Sequence, residues 1–207
     1  KLTLTHNSSS VGTMLVTGGS LELGQTGVFQ AENYSTGTGA GTIIGANSTL
    51  NASISFSQSA GSSLEVNVGS ATGPVITAGS AMINGVLRIN GYAPILPSQA
   101  SDLENDRITL ISSSSAIDGN FTSVVYDSNI STVDYITSFN GFSGDRTQYQ
   151  IGLQLSWVAG SVLGHGTFTL DGASDSFEVD VVLANQDLTA RGWTGTDLVK
   201  NGTGTLI

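Results

Sequence analysis

The triplet Leu64-Glu65-Val66 recurs in the sequence as Leu21-Glu22-Leu23, Ile43-Ile44-Gly45, Leu87-Arg88-Ile89 and Ile108-Thr109-Leu110. Successive copies are about 21 to 23 residues apart. Most copies place apolar residues on either side of one exposed position, the period-two pattern of a strand with one buried face. Clusters of Gly, Asn and Ser separate the copies, as turns require.

This repeat predicts an all-β chain that winds as a parallel β-helix. Each coil of such a fold stacks on the preceding one at about 4.8 Å, and the inward residues form continuous ladders. Leucine-rich repeats have similar periods, but their consensus is missing, and a β-sandwich would lack the longer repeat. Aligning the copies places Glu65 beside Arg88 on the outer face, as an inter-rung pair.

The amino-acid composition restricts both the fold and the partners. Only 11% of the 207 residues are charged, whereas 39% are hydrophobic and 27 are glycine. Serine and threonine make up about a quarter of the chain and weaken helices. The formal net charge of −10 argues against a nucleic-acid partner and against anionic membranes. The absence of cysteine excludes disulfides and cysteine-based metal sites.

The spacing of apolar residues changes after Leu110. The predicted parts are residues 1–111 as parallel β-helix coils, 112–160 as a hairpin-rich antiparallel region that covers the coil, and 161–207 as further coils. The run from Tyr149 to Trp157 alternates strictly and is the clearest strand. Because residues 116–157 carry a large share of the aromatic residues, we expect this segment to be the most stable unit.

Three motifs follow one another in the second half of the chain. Ile108 to Ile111 is followed by Gly119-Asn120-Phe121, and the strand Tyr149 to Trp157 is similar to a strand of the pattern Tyr-x-x-x-Leu-x-Trp. Leu198 to Leu206 has the pattern Leu-x-Lys-x-Gly-x-Gly-Thr-Leu, after an aromatic-plus-glycine turn at 192–195. In this order the motifs resemble the C-terminal passenger region of Gram-negative autotransporters of the AIDA-like adhesin type, including its passenger-associated repeat.

The resemblance implies a right-handed β-helix whose C-terminal part assists folding as an autochaperone. It also implies export through the periplasm and outer membrane, display on the bacterial cell surface, and a C-terminal β-barrel partner outside this sequence. Structural or folding roles are expected for Phe121, Tyr149, Trp157, Trp193, Gly202 and Gly204.

Catalytic motifs are not recognisable in the sequence. Gly141 to Asp145 begins like a nucleophile elbow, but Asp145 stands where glycine is required, so a hairpin turn is favoured. For neither His6 nor His165 does the sequence offer the orienting carboxylate and nucleophile of a catalytic triad. Acidic residues around Asp102 and Asp175 are typical of a solvated surface and match no calcium motif. We therefore predict that the chain is not an enzyme and has no catalytic, cofactor or metal residues.

These observations favour the stalk of a surface adhesin that promotes adhesion, auto-aggregation and biofilm formation. Its partners would be another copy of itself or a host or matrix surface, without nucleic acid and without membrane contact by this segment. Both ends of the sequence indicate a piece of a longer chain. We expect this piece to dimerise or pack end to end through residues 1–20, because truncation exposes unpaired strand edges there. The alternatives are a structural stem for an enzyme or toxin domain that is absent here, and a β-helical carbohydrate-active enzyme.

Overall fold

The computed structural model describes residues 1–5, 10–24, 27–69, 71, 73–130, 132–160, 163–187 and 193–207. Within this part of the chain, strands dominate, beside one helical turn, α1 (Asp102–Asn105), and one 3-10 helix (Ser156–Val158). The contacts divide the chain into two units. Unit 1 comprises 1–93, 108–129 and 140–150, and unit 2 comprises 94–107, 130–139 and 151–207.

The strands, numbered in chain order, form two large sheets and two small ones. Sheet A contains, in spatial order, β1 (Leu2–Leu4), β3 (Gly19–Leu23), β5 (Ala40–Ile44), β7 (Ser63–Asn67), β9 (Val86–Asn90) and β12 (Ser123–Tyr126). Sheet B contains, in spatial order, β2 (Ser10–Val16), β4 (Gly27–Thr36), β6 (Ser48–Gln58), β8 (Ile76–Ile83), β10 (Ile108–Ser113), β14 (Gln148–Leu155) and β13 (Ile136–Phe142), with β11 (Asp118–Gly119) beside β8. The small sheets are β15 (Thr167–Thr169) with β17 (Val199–Asn201), and β16 (Ser176–Phe177) with β18 (Thr205–Leu206).

Unit 1 contains a parallel β-solenoid of about four turns, which confirms the predicted parallel β-helix. All strands of sheet A pair in parallel, and so do β2, β4, β6, β8 and β10 of sheet B. From β1 to β9 the chain alternates between the two sheets, so each turn adds one strand to each. The inward side chains then stack in ladders: Leu64 pairs with Leu87, and both are fully buried.

The rung alignment made from the sequence is correct around Leu64 and wrong at two other rungs. Thr42, and not Ile43, is the register partner of Leu21 and Leu64, so that rung is shifted by one residue. A threonine is tolerated inside because its hydroxyl is hydrogen-bonded there, as described below.

The second error concerns Ile108-Thr109-Leu110, which belongs to β10 in sheet B and not to the ladder of sheet A. Ile111 of this strand pairs with Ile76. Sheet A instead continues at β12, where Val124 pairs with Leu87. The cause is the long connection of residues 91–107, which includes α1. It delays the next strand of sheet B, β10, to the position where the repeat predicts a strand of sheet A.

Parallel pairing continues past residue 111, where we expected hairpins to begin. β11 pairs in parallel with β8, and β12 with β9. Farther along, β13 and β14 are neighbours joined by residues 143–147, and each of these strands contains residues of both units. The segment 116–157, expected to be one stable unit, is thus divided between unit 1 and unit 2.

The long strands of sheet B are irregular near their centres. Between Ala31 and Asn33 of β4 the register against β6 shifts by one residue, which is the signature of a β-bulge. The extra residue in β6 turns Ile54 outward, where it is 56% exposed, although it continues the apolar series of Leu50 and Ala52. A bulge of this kind bends its strand locally.

A small polar cluster lies inside the solenoid core. The hydroxyl groups of Tyr34 and Thr36 lie 2.9 and 2.7 Å from Oγ1 of Thr42, within hydrogen-bonding distance. Burial raises the pKa of Tyr34 to about 12, because the phenolate would be poorly solvated there. The side chain of Gln58, the register partner of Thr36, is also fully buried. Neither of its amide atoms has a hydrogen-bond partner within the described residues.

We expect Gln58→Met to stabilise the protein by about 1–3 kcal/mol, because an unpaired buried amide costs that much and methionine has a similar length. The measurement is the free energy of unfolding in urea. Gln30→Met, at an exposed position of β4, is the matched control and should change stability by less than about 0.5 kcal/mol. A destabilised Gln58→Met variant would show that an internal water satisfies the amide.

Unit 2 has a core of its own, which is rich in aromatic residues. Tyr135, Phe168 and Phe177 are buried together, with ring centroids 4.8 to 6.3 Å apart. β15 pairs in parallel with β17, and β16 with β18, so the C-terminal residues are also paired as in a coil. Leu103 of α1 and Leu153 and Leu155 of β14 also belong to this core.

Candidate functional site

Phe121 and Tyr149, two of the residues predicted to support folding, are in contact within unit 1. Both are buried, and their rings pack edge to face with centroids 5.0 Å apart. Phe142 packs against the other side of Tyr149 at 5.1 Å. Burial raises the pKa of Tyr149 well above its usual value, so the ring behaves as neutral apolar packing.

The segment that begins like a nucleophile elbow forms a turn between β13 and β14. Asp145 accepts hydrogen bonds from the Ser143 hydroxyl and from the backbone and hydroxyl of Thr147, at 2.7 to 3.1 Å. These bonds lower the pKa of Asp145 to about 2. Arg146 lies 3.8 Å from the Phe142 ring centroid and donates to the carbonyl of Gly119. The polar groups of Ser143 and Asp145 are therefore committed to the turn.

Trp157 and Trp193 form a contact pair in unit 2. Trp157 is only 3% exposed, and it lies in the 3-10 helix rather than at the end of β14, which stops at Leu155. Its Nε1 donates to the carbonyl of Ala184 at 2.8 Å, and its ring meets Trp193 edge to face at 4.8 Å. Trp193 donates in turn to the carbonyl of Asp197 at 2.8 Å. The pair ties residues 184 and 197 to the core of unit 2. Gly192, the first residue of the turn predicted at 192–195, lies outside the described residues.

The glycines of the Leu-x-Lys-x-Gly-x-Gly-Thr-Leu motif pack against backbone. Gly202 has a φ of 77°, and a Cβ there would lie 2.2 Å from the carbonyl oxygen of Leu170. A Cβ on Gly204 would lie 2.6 Å from the carbonyl oxygen of Asp175. The amide of Gly204 donates to the Leu170 carbonyl at 2.8 Å. The two glycines therefore allow β17 and β18 to approach residues 170–175 closely.

Replacing Gly202 by alanine is expected to destabilise unit 2 by at least about 1–3 kcal/mol, the cost of a left-handed conformation for a residue with a side chain. Urea unfolding followed by tryptophan fluorescence measures this, since both tryptophans of the chain lie in unit 2. Gly144→Ala is the control, because nothing lies within 4 Å of its Cβ position. Equal stabilities of the two variants would contradict the assigned packing.

Glu65 and Arg88 are register partners in β7 and β9, as the aligned triplets predict. The Glu65 carboxylate accepts a hydrogen bond from Nδ2 of Asn90 at 2.7 Å. Asn90 is in turn the register partner of Asn67. The outer face of sheet A therefore carries mixed charges and amides.

Several acidic residues of unit 2 make contacts within that unit. Asp180 accepts hydrogen bonds from the backbone and hydroxyl of Ser101, just before α1, and these bonds lower its pKa. Asp175 accepts from the amide of Gly172 at 2.8 Å, and Glu104 pairs with Arg107 at 3.3 Å. Over the described ranges, no group of three or more His, Asp and Glu residues could hold a metal ion.

The two histidines are far apart in the chain. Nδ1 of His165 accepts a hydrogen bond from the amide of Thr167 at 3.3 Å, in the loop before β15. His6 lies outside the described residues. Neither helix in the described chain has the length or hydropathy needed to cross a bilayer.

The outward surface of sheet B carries uncharged polar side chains on successive rungs. Glu32 is the only charged residue in the sequences of β2, β4, β6, β8 and β10. Two columns of register partners run across these strands, and we call their eight side chains the polar face. The polar face consists of Gln30, Asn51, Thr77 and Ser112 in one column and Thr13, Asn33, Ser55 and Ser80 in the other.

Hydrogen bonds between rungs orient part of the polar face. Ser55 donates to Oδ1 of Asn33 at 2.8 Å, which leaves the Nδ2 group of Asn33 as the donor of that amide. Ser80 donates to the carbonyl of Ile54 at 3.2 Å. All eight side chains except Thr13 have register partners on the preceding rung, at the ~4.8 Å spacing of parallel strands. The sequence indicated a polar outer surface, but it did not indicate that these nearly uncharged segments lie side by side in one sheet.

Known proteins provide no further assignment of this surface. Comparisons with protein-family models, with curated proteins and with solved structures found no match to this chain.

Proposed function

We propose that the chain is a stalk segment of an exported bacterial surface adhesin, of the autotransporter passenger type that its motifs resemble. The observation that carries the proposal is the polar face, which extends over five parallel strands with a single charged residue among them. A rigid surface with many weak hydrogen-bonding groups suits adhesion, because multivalent contact accumulates affinity without a deep pocket. The motif Leu198 to Leu206 also supports it, because its strands β17 and β18 pair in parallel with β15 and β16, as in a coil.

The proposal includes the finer organisation of the fold. The coil would be right-handed, as parallel crossover connections almost always are. The five residues between β13 and β14 fit an antiparallel hairpin that covers the coil, since parallel strands need a longer connection. The aromatic core of unit 2 would assist folding of the upstream coils during export. The segment would then act outside the cell, beside the surface of its own or another cell.

The test is an in-register deletion in the full-length protein displayed on cells. Thr42, Leu64 and Leu87 occupy the same position on three rungs, so deletion of residues 42–86 removes two complete coils and joins equivalent positions. We expect this deletion to reduce cell clumping and biofilm formation, because it removes β6 and β8 and with them half of the polar face.

The amount of protein on the cell surface, measured by immunolabelling, controls for export. Clumping that is unchanged at equal surface density would contradict the adhesin function. It would favour the alternative, a structural stem that carries a separate domain.

A further inference from the structure

We propose that the polar face binds an extended, uncharged polysaccharide that lies across the strands, along the stack of coils. This inference rests on the proposed adhesin function and adds to it the binding surface and the chemical class of the ligand. The binding groups are amides and hydroxyls on successive rungs, among them Gln30, Asn33, Asn51 and Thr77.

The distribution of charge selects an uncharged ligand. The chain has a formal net charge of −10, yet Glu32 is the only charged residue in the five strands of the polar face. A polyanion would be repelled by the net charge and would find no cation on these strands. A cationic ligand would find a single carboxylate. Hydroxyl groups of a neutral sugar chain, in contrast, both donate and accept the hydrogen bonds that amides and hydroxyls offer.

The side chains present also argue against a protein partner. Protein interfaces depend on a few buried aromatic or arginine anchors. The aromatic residues in these five strands, Phe29, Tyr34 and Phe56, are all buried in the solenoid interior. The strands contain no arginine. The surface therefore offers repeated weak contacts, which an extended polymer can use together.

The rung spacing and the fixed orientation of Asn33 favour an extended chain over a compact ligand. The rung spacing of about 4.8 Å is comparable with the length of one sugar residue in an extended polysaccharide. Asn33 is oriented in advance by its bond from Ser55, which lowers the entropic cost of binding. Ile54 and Met82, which are 56% and 45% exposed on β6 and β8, add apolar surface for the C–H groups of sugar rings.

The test uses the whole chain and immobilised polysaccharides as probes. The neutral probes are amorphous cellulose, xylan and mannan, and chondroitin sulfate is the polyanionic comparison. The test variant is Asn33→Asp with Asn51→Asp, which removes two amide donors and adds charge at exposed or half-buried positions. The matched control is Asn120→Asp with Asn129→Asp, which makes the same chemical changes at exposed positions of unit 1 outside the polar face.

We expect retention on at least one neutral probe, little change between about 50 and 500 mM NaCl, and little retention on chondroitin sulfate. The test variant should bind about tenfold more weakly, as expected for two lost hydrogen bonds, and the control variant should bind like the unmodified chain. Circular dichroism establishes that both variants are folded.

Three results would overturn the inference: no retention on any neutral probe, equal binding by test and control variants, or a dimer in sedimentation that only the test variant fails to form. The last result would identify a second copy of the chain as the occupant. Cells that clump although the purified chain binds no polysaccharide would refute this inference and leave the adhesin function intact. Binding of polysaccharide by the purified chain without clumping of cells would support this inference and contradict the adhesin function.

Discussion

Replacing Trp157 by alanine is expected to lower the stability of unit 2 by about 3–5 kcal/mol. The tryptophan is 3% exposed and belongs to the aromatic core of this unit. Alanine leaves a large cavity, removes the edge-to-face contact with Trp193 and removes one of the two hydrogen bonds to the Ala184 carbonyl, the other coming from Gln186. Urea unfolding followed by the fluorescence of Trp193 gives the loss.

The variant Trp157→Phe separates packing from hydrogen bonding, because phenylalanine retains an aromatic ring but has no N–H donor. We expect it to lose less stability than the alanine variant. Leu198→Ala, at a residue of unit 2 that is 45% exposed, should change stability by less than about 0.5 kcal/mol. A loss below about 1 kcal/mol for Trp157→Ala would mean that the indole is a surface residue at the end of β14.

The parallel solenoid could be predicted because its ladders repeat in the sequence. Leu64 and Leu87 occupy the same inward position on neighbouring rungs, and so do Val66 and Ile89. The same spacing and alternation of apolar residues therefore recur in the sequence. The rung at Thr42 was missed because hydropathy does not recognise a buried hydroxyl. That hydroxyl is satisfied by Tyr34 and Thr36, which approach it only in the folded coil.

The path of the chain after Asn90 could not be predicted from periodicity. Ile108-Thr109-Leu110 has the same local pattern as a rung of sheet A, because strands of both sheets alternate inward and outward residues. Which sheet receives the strand depends on the length and course of residues 91–107. The sequence pattern also predicts a strand as far as Trp157, whereas β14 ends at Leu155. A buried residue continues the alternation whether it lies in a strand or in the following 3-10 helix.

The candidate binding surface was only partly accessible to sequence reasoning. The scarcity of charge and the abundance of Ser and Thr indicated an uncharged outer surface. The alignment of Asn33 with Ser55 and Ser80 depends on the register shift at the bulge of β6. Such shifts change which residues are neighbours without leaving a pattern in hydropathy.

Replacing Leu64 by alanine is expected to lower the stability of unit 1 by about 2–5 kcal/mol. Leu64 is fully buried in the middle of its ladder, with Thr42 on one neighbouring rung and Leu87 on the other. The backbone of β7 is paired on both sides, so neighbouring rungs cannot easily move into the cavity. Most of the lost contact therefore remains uncompensated, and unfolding in urea followed by far-UV circular dichroism measures the loss.

The position of this loss along the stack distinguishes a solenoid from a globular core. Coils are stabilised mainly by their neighbours, so amide hydrogen exchange in Leu64→Ala should accelerate most in β5, β7 and β9 and least in β2. Val125→Ala, at an outward residue of sheet A that is 41% exposed, is the control and should leave exchange nearly unchanged. Acceleration by the same factor in every strand of unit 1 would mean that its coils unfold in one cooperative step, and the nearest-neighbour description would then be wrong.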